Sequence, residues 1–319
     1  MSTVVVVADR YIGSPDHERA LAAGRAEIRA ASLDTPDEVV AATADADAIL
    51  VTTHTLTAAH IAALGPGVRI IGRAGIGLDA IDLEAARARG VAVYHTPDYC
   101  VDEVADQAVA CILMLQRRMR DQERVARTAD WSGRSGIRLP ALEVTTVGVL
   151  GAGRIGRAVL ARLEPFRVQR LVHDPFASEV PAGVERVDDL DALLARSDVV
   201  TIHAPLTPET RHLLSAERIA RMRRGAYLVN VSRGPLVDSV ALAAALADGQ
   251  IGGAAVDVFD PEPPSADDPL RSAPNIILTP HFAWHSIEAE TRVRAQTLEA
   301  VLAFVAGREP ADGRMAVRP

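Results

Sequence analysis

The chain has 319 residues, 49% of them apolar and 24% charged, with a formal net charge of −8. This balance offers no basic surface to nucleic acid and no cationic run to a membrane, and no apolar stretch reaches membrane-spanning length. All 34 basic residues are arginine, which excludes Schiff-base chemistry and a Walker-type phosphate lysine.

The opening MSTVVVVADR has a four-valine run and no cationic leader; it is too short for a signal peptide and reads as a first strand. AILVTT, VRIIGRAG and VAVYHT continue as strands, separated by helical patterns such as AAHIAALG and LEAARARG. This alternation predicts a parallel sheet. VDEVADQAVACILMLQRRMR, residues 101–120, predicts a long helix capped by Asp102 and buried between layers, because its middle is apolar nearly all round. A polar arm follows over 121–143, with Trp131 and Pro140. A second βα series starts at VTTVGVLGAG and runs through RLVHD, VVTIHA, AYLVNVS, GAAVDVF and NIILTP. A last helix spans roughly Ser286 to Ala306, is ended by Gly307 and Pro310, and is expected to return to the first unit. The fold class is therefore α/β, with two doubly wound parallel-sheet domains. Cys100 and Cys111 form no CxxC pair; eleven residues apart they could form a disulfide, but their apolar context favours buried free thiols, and the charge balance suits a cytoplasmic location.

VGVLGAGRIG sets Gly151, Gly153 and Gly156 in GxGxxG spacing, after a strand and at the start of a helix. Gly151 allows the tight turn, Gly153 lets the backbone approach a pyrophosphate, and Gly156 lets helix and strand pack closely. The loop Gly151, Ala152, Gly153, Arg154, Ile155 and Gly156 is thus a candidate phosphate cradle at a helix N-terminus. Asp174 ends the next strand, where a carboxylate accepts hydrogen bonds from the adenine-ribose hydroxyls and repels a 2′-phosphate, favouring NAD over NADP.

Three later strand ends carry polar groups: Arg233 in LVNVSRGPLVD, Asp257 and Glu262 in AAVDVFDPEPP, and His281 in NIILTPHFAW. Ligands in open α/β sheets lie beyond the carboxyl ends of strands, so these groups can face one cleft. An imidazole moves a proton at neutral pH, a carboxylate behind it fixes its tautomer, and an arginine grips a carboxylate by two bonds. Taken singly, Arg233 could pair with Asp238 on the surface, and Glu262 could stand solvated in its proline-rich loop. Together they are the equipment for interconverting a 2-oxo acid and a 2-hydroxy acid. Donor sets with metal-ligand spacing are not evident, so no metal is expected.

The chain resembles the D-isomer-specific 2-hydroxyacid dehydrogenases over nearly its full length, on GRAGIGLDAID at 72–82, GAGRIG at 151–156, HAPLTPET at 203–210, VNVSRGPLVD at 229–238, VDVFDPEP at 256–263 and TPH at 279–281. The resemblance implies a Rossmann NAD domain over 101–286 and a flavodoxin-like substrate domain built from 1–100 plus 287–319. It implies Arg233 as substrate anchor, His281 as acid/base and Glu262 as its partner. Gly75, Ile76 and Gly77 would cradle the substrate carboxylate through their backbone, with Arg73 either a second positive contact or a structural arginine. Asp257 would hold the nicotinamide amide, and Ala204, Pro205, Thr210, Val231 and Ser232 would line the cofactor. HTLT at 54–57, VDEVAD at 101–106 and HFAW at 281–284 look like the C-terminal-binding-protein branch, whose animal members are NAD(H)-responsive corepressors, with Trp284 as a wall of the substrate pocket. Ala80 departs from the asparagine of many relatives. The expectation is an NAD-dependent enzyme acting on a small 2-oxo or 2-hydroxy acid, with an NAD(H)-sensing binding protein as the rival. Resemblance also suggests a homodimer, with the arm around Trp131 as a contact.

Overall fold

The computed structural model describes residues 3–9, 14–310 and 314–318. Arg10, the end of the expected first strand, lies outside the described residues. The chain divides into two compact units, Met1–Tyr99 with Ser286–Pro319, and Cys100–His285.

The first unit runs β1 (Thr3–Ala8), α1 (Asp16–Ala22), β2 (Ala26–Ala30), α2 (Pro36–Thr43), β3 (Ala48–Val51), α3 (Ala58–Ala63), β4 (Ile70–Arg73), α4 (Leu83–Arg89) and β5 (Ala92–His95). The valines of β1 and the AILV of β3 are buried, as suits β-branched and aliphatic strands covered on both faces. Local signals fix several helix ends. Thr35 and Glu38 form a reciprocal capping box before α2, and Asp82 caps α4 through the Ala85 N–H. The sheet order is β13-β5-β4-β3-β1-β2, where β13 (Met315–Val317) pairs antiparallel with β5 and every other pair is parallel. Without β13 this is the flavodoxin-like order. The long α11 (Ile287–Val305) belongs to this unit and packs on β3, β4 and β5. Its approach is close: a Cβ on Gly72 of β4 would stand 2.6 Å from a Val301 methyl and 2.8 Å from a Thr297 methyl. Arg294 of α11 is buried and donates through Nε and Nη2 to the two carboxylate oxygens of buried Glu18, at 2.7 and 2.6 Å.

The second unit begins with α5 (Val101–Gln116), which differs from the expected helix over 101–120. Arg117 and Arg118 still donate backbone N–H groups to Leu113 and Leu115, but Arg118 turns left-handed at φ 47 and α6 (Met119–Ala126) starts afresh. The Arg118 guanidinium pairs with Asp121 of the new helix at 2.7 Å, which compensates the turn. Asp102 is not the cap; Cys100 holds that position, and Asp102 instead pairs with Arg162 at 2.6 Å. Nor is α5 buried all round, since Asp102, Asp106, Ala110 and Met114 leave one exposed stripe. None of the residues of α6 is buried.

Then follow β6 (Thr146–Leu150), α7 (Arg154–Leu163), β7 (Gln169–His173), β8 (Glu185–Arg186), α8 (Leu190–Arg196), β9 (Val199–Ile202), α9 (Ala216–Arg221), β10 (Ala226–Asn230), α10 (Ser239–Ala247), β11 (Ile251–Val256) and β12 (Ile276–Leu278). Their order, β12-β11-β10-β9-β6-β7-β8, is all parallel and reads as the Rossmann order 3-2-1-4-5-6 with one added strand. The order reverses between β6 and β9, which places a crevice at their carboxyl ends. Both cysteines are buried thiols outside any disulfide, and burial pushes Cys111 up to about 11, with Asp257 adding to the shift.

Candidate active site

The glycine loop occupies that crevice in the second unit. Gly151 leaves β6 at φ 99, and a Cβ there would lie 2.7 Å from the His203 carbonyl that follows β9. A Cβ on Gly156 would fall 2.0 Å from the Gly151 carbonyl, so the helix can pack down on the turn only without a side chain. Gly153, by contrast, faces open space where its Cβ would stand. The first turn of α7, Arg154 to Gly156, therefore presents a free helix N-terminus over an unobstructed glycine, which fits a pyrophosphate.

Asp174 stands at the end of the neighbouring β7. Its Oδ2 accepts from the Ala152 N–H at 2.7 Å, and its Oδ1 accepts from the N–H groups of Phe176 and Ala177. Burial works against its charge, but these three donors outweigh burial and hold the carboxyl below its usual range. Asp174 is thus both a fixed negative charge and a tie for the loop. The opposite rim is also bonded together. Ser232 Oγ donates to the Ala204 carbonyl at 2.7 Å, and Thr210 Oγ1 donates to the Pro205 carbonyl at 2.8 Å. Val231 is buried beside them. His203, not foreseen, is neutral, because burial lowers it to about 3, and its Nε2 meets Thr201 Oγ1.

The acid–base pair is assembled in the same unit. Glu262 Oε1 accepts from the Phe259 N–H at 2.8 Å, and Oε2 meets His281 Nδ1 at 2.7 Å. Burial opposes the charge of Glu262; the His281 hydrogen bond outweighs it, helped by the Phe259 N–H and the Arg233 guanidinium, and the carboxyl sits below its usual range. A carboxylate only accepts, so Nδ1 carries the hydrogen and Nε2 is left for proton transfer. Asp238 caps α10 through the Ala241 N–H. Gly234, next to Arg233, lies so close to the Phe259 backbone that a Cβ would approach it to 2.2 Å, which keeps the arginine turn against the loop that orients Glu262.

His281 has φ 53, a left-handed conformation that a histidine holds only when its surroundings impose it. Asp257 imposes it. Its carbonyl accepts from the His281 N–H at 2.7 Å, its Oδ1 accepts from the Phe282 N–H and the Thr279 hydroxyl, and its Oδ2 accepts from the Ala283 N–H at 3.0 Å. Burial pushes Asp257 above the usual carboxylate range, against the pull of these donors. The expected nicotinamide contact of Asp257 thus shares the carboxylate with a structural task that sequence reasoning missed. Asn230 has a like task, donating to the Arg233 carbonyl and accepting from the Ser232 N–H. Both stand at strand ends inside quoted motifs, the one signal that could have found them. Trp284 joins an aromatic group with Phe282 and His285, where Phe282 and His285 stack at 4.2 Å and the indole meets His285 edge-on at 5.3 Å. Arg73 ends β4 in the first unit, and Gly75, Ile76 and Gly77 lie in the loop that follows it. Among the described residues no group of three or more acidic, histidine or cysteine side chains could hold a metal.

The parallel strand order, the glycine turn and the strand-end carboxylate define a two-domain α/β protein whose second unit takes NAD. Residues 109–283 match the family described as D-isomer specific 2-hydroxyacid dehydrogenase, NAD binding domain, and the chain belongs to that family. It is 38% identical over 272 residues to a glyoxylate reductase of Thermofilum pendens, covering 83% of this chain and 80% of the relative. It is 36% identical over 309 residues to a D-3-phosphoglycerate dehydrogenase of Mycobacterium leprae, covering 95% of this chain but only 57% of that longer relative. The solved structure of a D-lactate dehydrogenase from Aquifex aeolicus with NAD and lactic acid superposes with a TM-score of 0.87 at 30% identity, covering 99% of this chain and 100% of the other. Family membership carries a general NAD-dependent oxidoreductase activity on small hydroxy and oxo acids.

Proposed function

We propose that the protein reduces a small 2-oxo acid to the corresponding D-2-hydroxy acid. The observation that carries this reading is the 2.7 Å pairing of Glu262 with His281, beside an Arg233 whose charge Glu262 feels. Gly151 to Gly156, Asp174 and the rim of Ala204, Pro205, Thr210, Val231 and Ser232 hold NAD, with Asp257 at the nicotinamide amide. Bound in its reduced form, NADH, the cofactor would supply the hydride to C2 of the oxo acid. Arg233 grips the substrate carboxylate by its fork and polarises the adjacent carbonyl. His281 gives the proton on Nε2 to the forming alkoxide, and Glu262 stabilises the ring orientation that aims it. Ile76 and Gly77 offer backbone N–H groups to the carboxylate, whereas the Gly75 N–H, expected among them, is already donated to Thr96 Oγ1 at 2.9 Å; Trp284 limits the side chain. The relatives act on glyoxylate-, phosphoglycerate- and lactate-type acids, so the substrate belongs to that range. In domain terms, 101–286 binds the dinucleotide, and 1–100 with 287–319 serves the substrate.

The aromatic group around Trp284 favours a second reading, an NAD(H)-sensing protein of the C-terminal-binding-protein branch. Exposed Trp131 on the arm, with exposed Met119 and Val144 flanking it, supports a homodimer, and the two buried thiols suit a reducing cytoplasm. No helix among the described residues is long and apolar enough to cross a membrane. The test is a panel of 2-oxo acids with NADH, followed by loss of nicotinamide absorbance. Oxidation by glyoxylate, hydroxypyruvate, pyruvate or a phosphorylated 2-oxo acid supports the enzyme. Tight NADH binding without turnover on any member replaces it with the sensor.

A further inference from the structure

The loop after β4 has its carbonyls turned inward. β4 and β5 end in register, Arg73 beside His95. Arg73 folds back over its own loop, donating from Nε to the Gly77 carbonyl at 3.1 Å and from Nη1 to the Ala74 carbonyl at 2.6 Å. His95 Nδ1 meets the Ile76 carbonyl at 2.9 Å, and because a carbonyl only accepts, Nδ1 carries the hydrogen. Thr96 closes the set: its N–H donates to the Gly75 carbonyl at 3.1 Å while its Oγ1 accepts from the Gly75 N–H at 2.9 Å. All four carbonyls from Ala74 to Gly77 are therefore held by β4 and β5 ends. The N–H groups of Ile76 and Gly77 find no acceptor among the described residues, and both residues are only half-buried. Successive N–H groups left facing out of such a turn make a concave anion site. Gly75 is part of the device, since a Cβ there would overlap the Arg73 guanidinium at 2.5 Å.

We propose that Arg73 and His95 are positioning residues that pre-form an anion cradle from the Ile76 and Gly77 N–H groups, and that Arg73 acts through the loop and not by touching substrate. The identity of the anion as the carboxylate of a 2-oxo acid rests on the proposed function; the brace itself does not. A fork spanning two carbonyls is a property of guanidinium that an ammonium cannot copy. Charge alone, in contrast, would survive a change to lysine.

The experiment compares Arg73→Lys, Arg73→Met and His95→Phe. Two measurements are made: hydrogen exchange of the segment 74–78 in the ligand-free protein, and calorimetric binding of oxamate, a non-reducible isostere of a 2-oxo acid, to the NADH-loaded protein. Exchange of the bonded Ala74 and Gly75 amides within 74–78 should speed up in all three variants, while exchange elsewhere in the first unit reports that the fold is kept. Oxamate binding should weaken roughly 10–100-fold, the cost of misplacing binding groups by about an ångström, with NADH affinity unchanged. Lysine should fare no better than methionine, and KM should rise more than kcat falls for every 2-oxo acid, whatever its side chain. Retention of oxamate affinity by Arg73→Lys together with its loss in Arg73→Met would overturn the proposal in favour of direct charge contact. Unchanged exchange would also overturn it. If no 2-oxo acid is reduced, the proposed function fails, while the exchange data still decide the brace.

Discussion

A carboxylate behind an imidazole matters through the one hydrogen it fixes. With Glu262 on Nδ1, Nε2 is the only ring atom free to serve a reacting oxygen. Glu262→Gln replaces that acceptor with an amide that can also donate and so permits the wrong tautomer. We expect kcat to fall by roughly 10²–10⁴-fold in single-turnover measurements, with NADH affinity unchanged. His281→Ala should lose a similar factor, and combining the two should add little, because the residues act as one unit. An additive double variant would separate their roles. Since Glu262 is held below the usual carboxylate range, it stays charged from neutral pH down to that range. The parent rate profile should therefore contain no ionisation of Glu262 above the ordinary carboxylate region; an ionisation there that vanishes in Glu262→Gln would contradict the assignment. Asp174 has two jobs, which two variants separate. Asp174→Ala should weaken NADH and narrow the preference over NADPH, whereas Asp174→Asn loses the charge but keeps one oxygen that can still accept from the Ala152 N–H, at the cost of the acceptor for Phe176 and Ala177. Equal kcat/KM for both cofactors in the parent would remove the argument.

Among elements, long periodic stretches were legible and short polar ones were not. The strands TVGVL, AYLVN and IGGAAV are apolar runs between turn residues, and they stand where that pattern put them. β2 is AEIRA, an edge strand with Ile28 alone buried, and nothing in its alternation distinguishes it from a loop. β8 has two residues, both charged, and β13 is an antiparallel addition to an edge. The break at Arg118 carries no glycine or proline to announce it. At the candidate site, Arg233, Glu262 and His281 were legible because ionisable side chains follow successive apolar strand ends. Asn230 and Thr279 were not, because a neutral polar side chain reveals its partner only once the chain is folded. The joint between α1 and α11 gives a test at this scale. Arg294 and Glu18 are nearly excluded from water, with side-chain exposures of 9% and 2%. Removing either charge alone, by Glu18→Gln or Arg294→Met, should cost about 3–5 kcal/mol in denaturant unfolding. The double variant should cost much less than the sum of the two, and a double that is fully additive would show that no such coupling exists.

For the molecule as a whole, stability should depend on acid in a defined direction. His203 is lowered by burial to about 3 in the folded chain, whereas a free histidine has 6.5. Between these values the unfolded chain binds a proton that the folded chain refuses. The stability due to neutral His203 is thus complete above 6.5 and is lost as pH falls toward 3. Urea midpoints measured from about pH 7.5 down to about pH 5 should fall less steeply in His203→Gln than in the parent; parallel slopes would rule His203 out. NADH binds only the folded second unit, so at about 100 times its Kd it should add about 2.7 kcal/mol to the unfolding of that unit. The division of the chain has a further consequence for its synthesis. Residues 100–285 are contiguous and can close their sheet as soon as they leave the ribosome, whereas the earlier unit is still without α11 and β13. Gly72 and its neighbours would meanwhile expose the surface that Val301 and Thr297 later cover. The half made first is therefore the half finished last. Nascent chains whose residues up to 285 have just cleared the ribosome should bind NADH yet carry an open β4 face for chaperones to hold, and only emergence of residues 286–317 should free them.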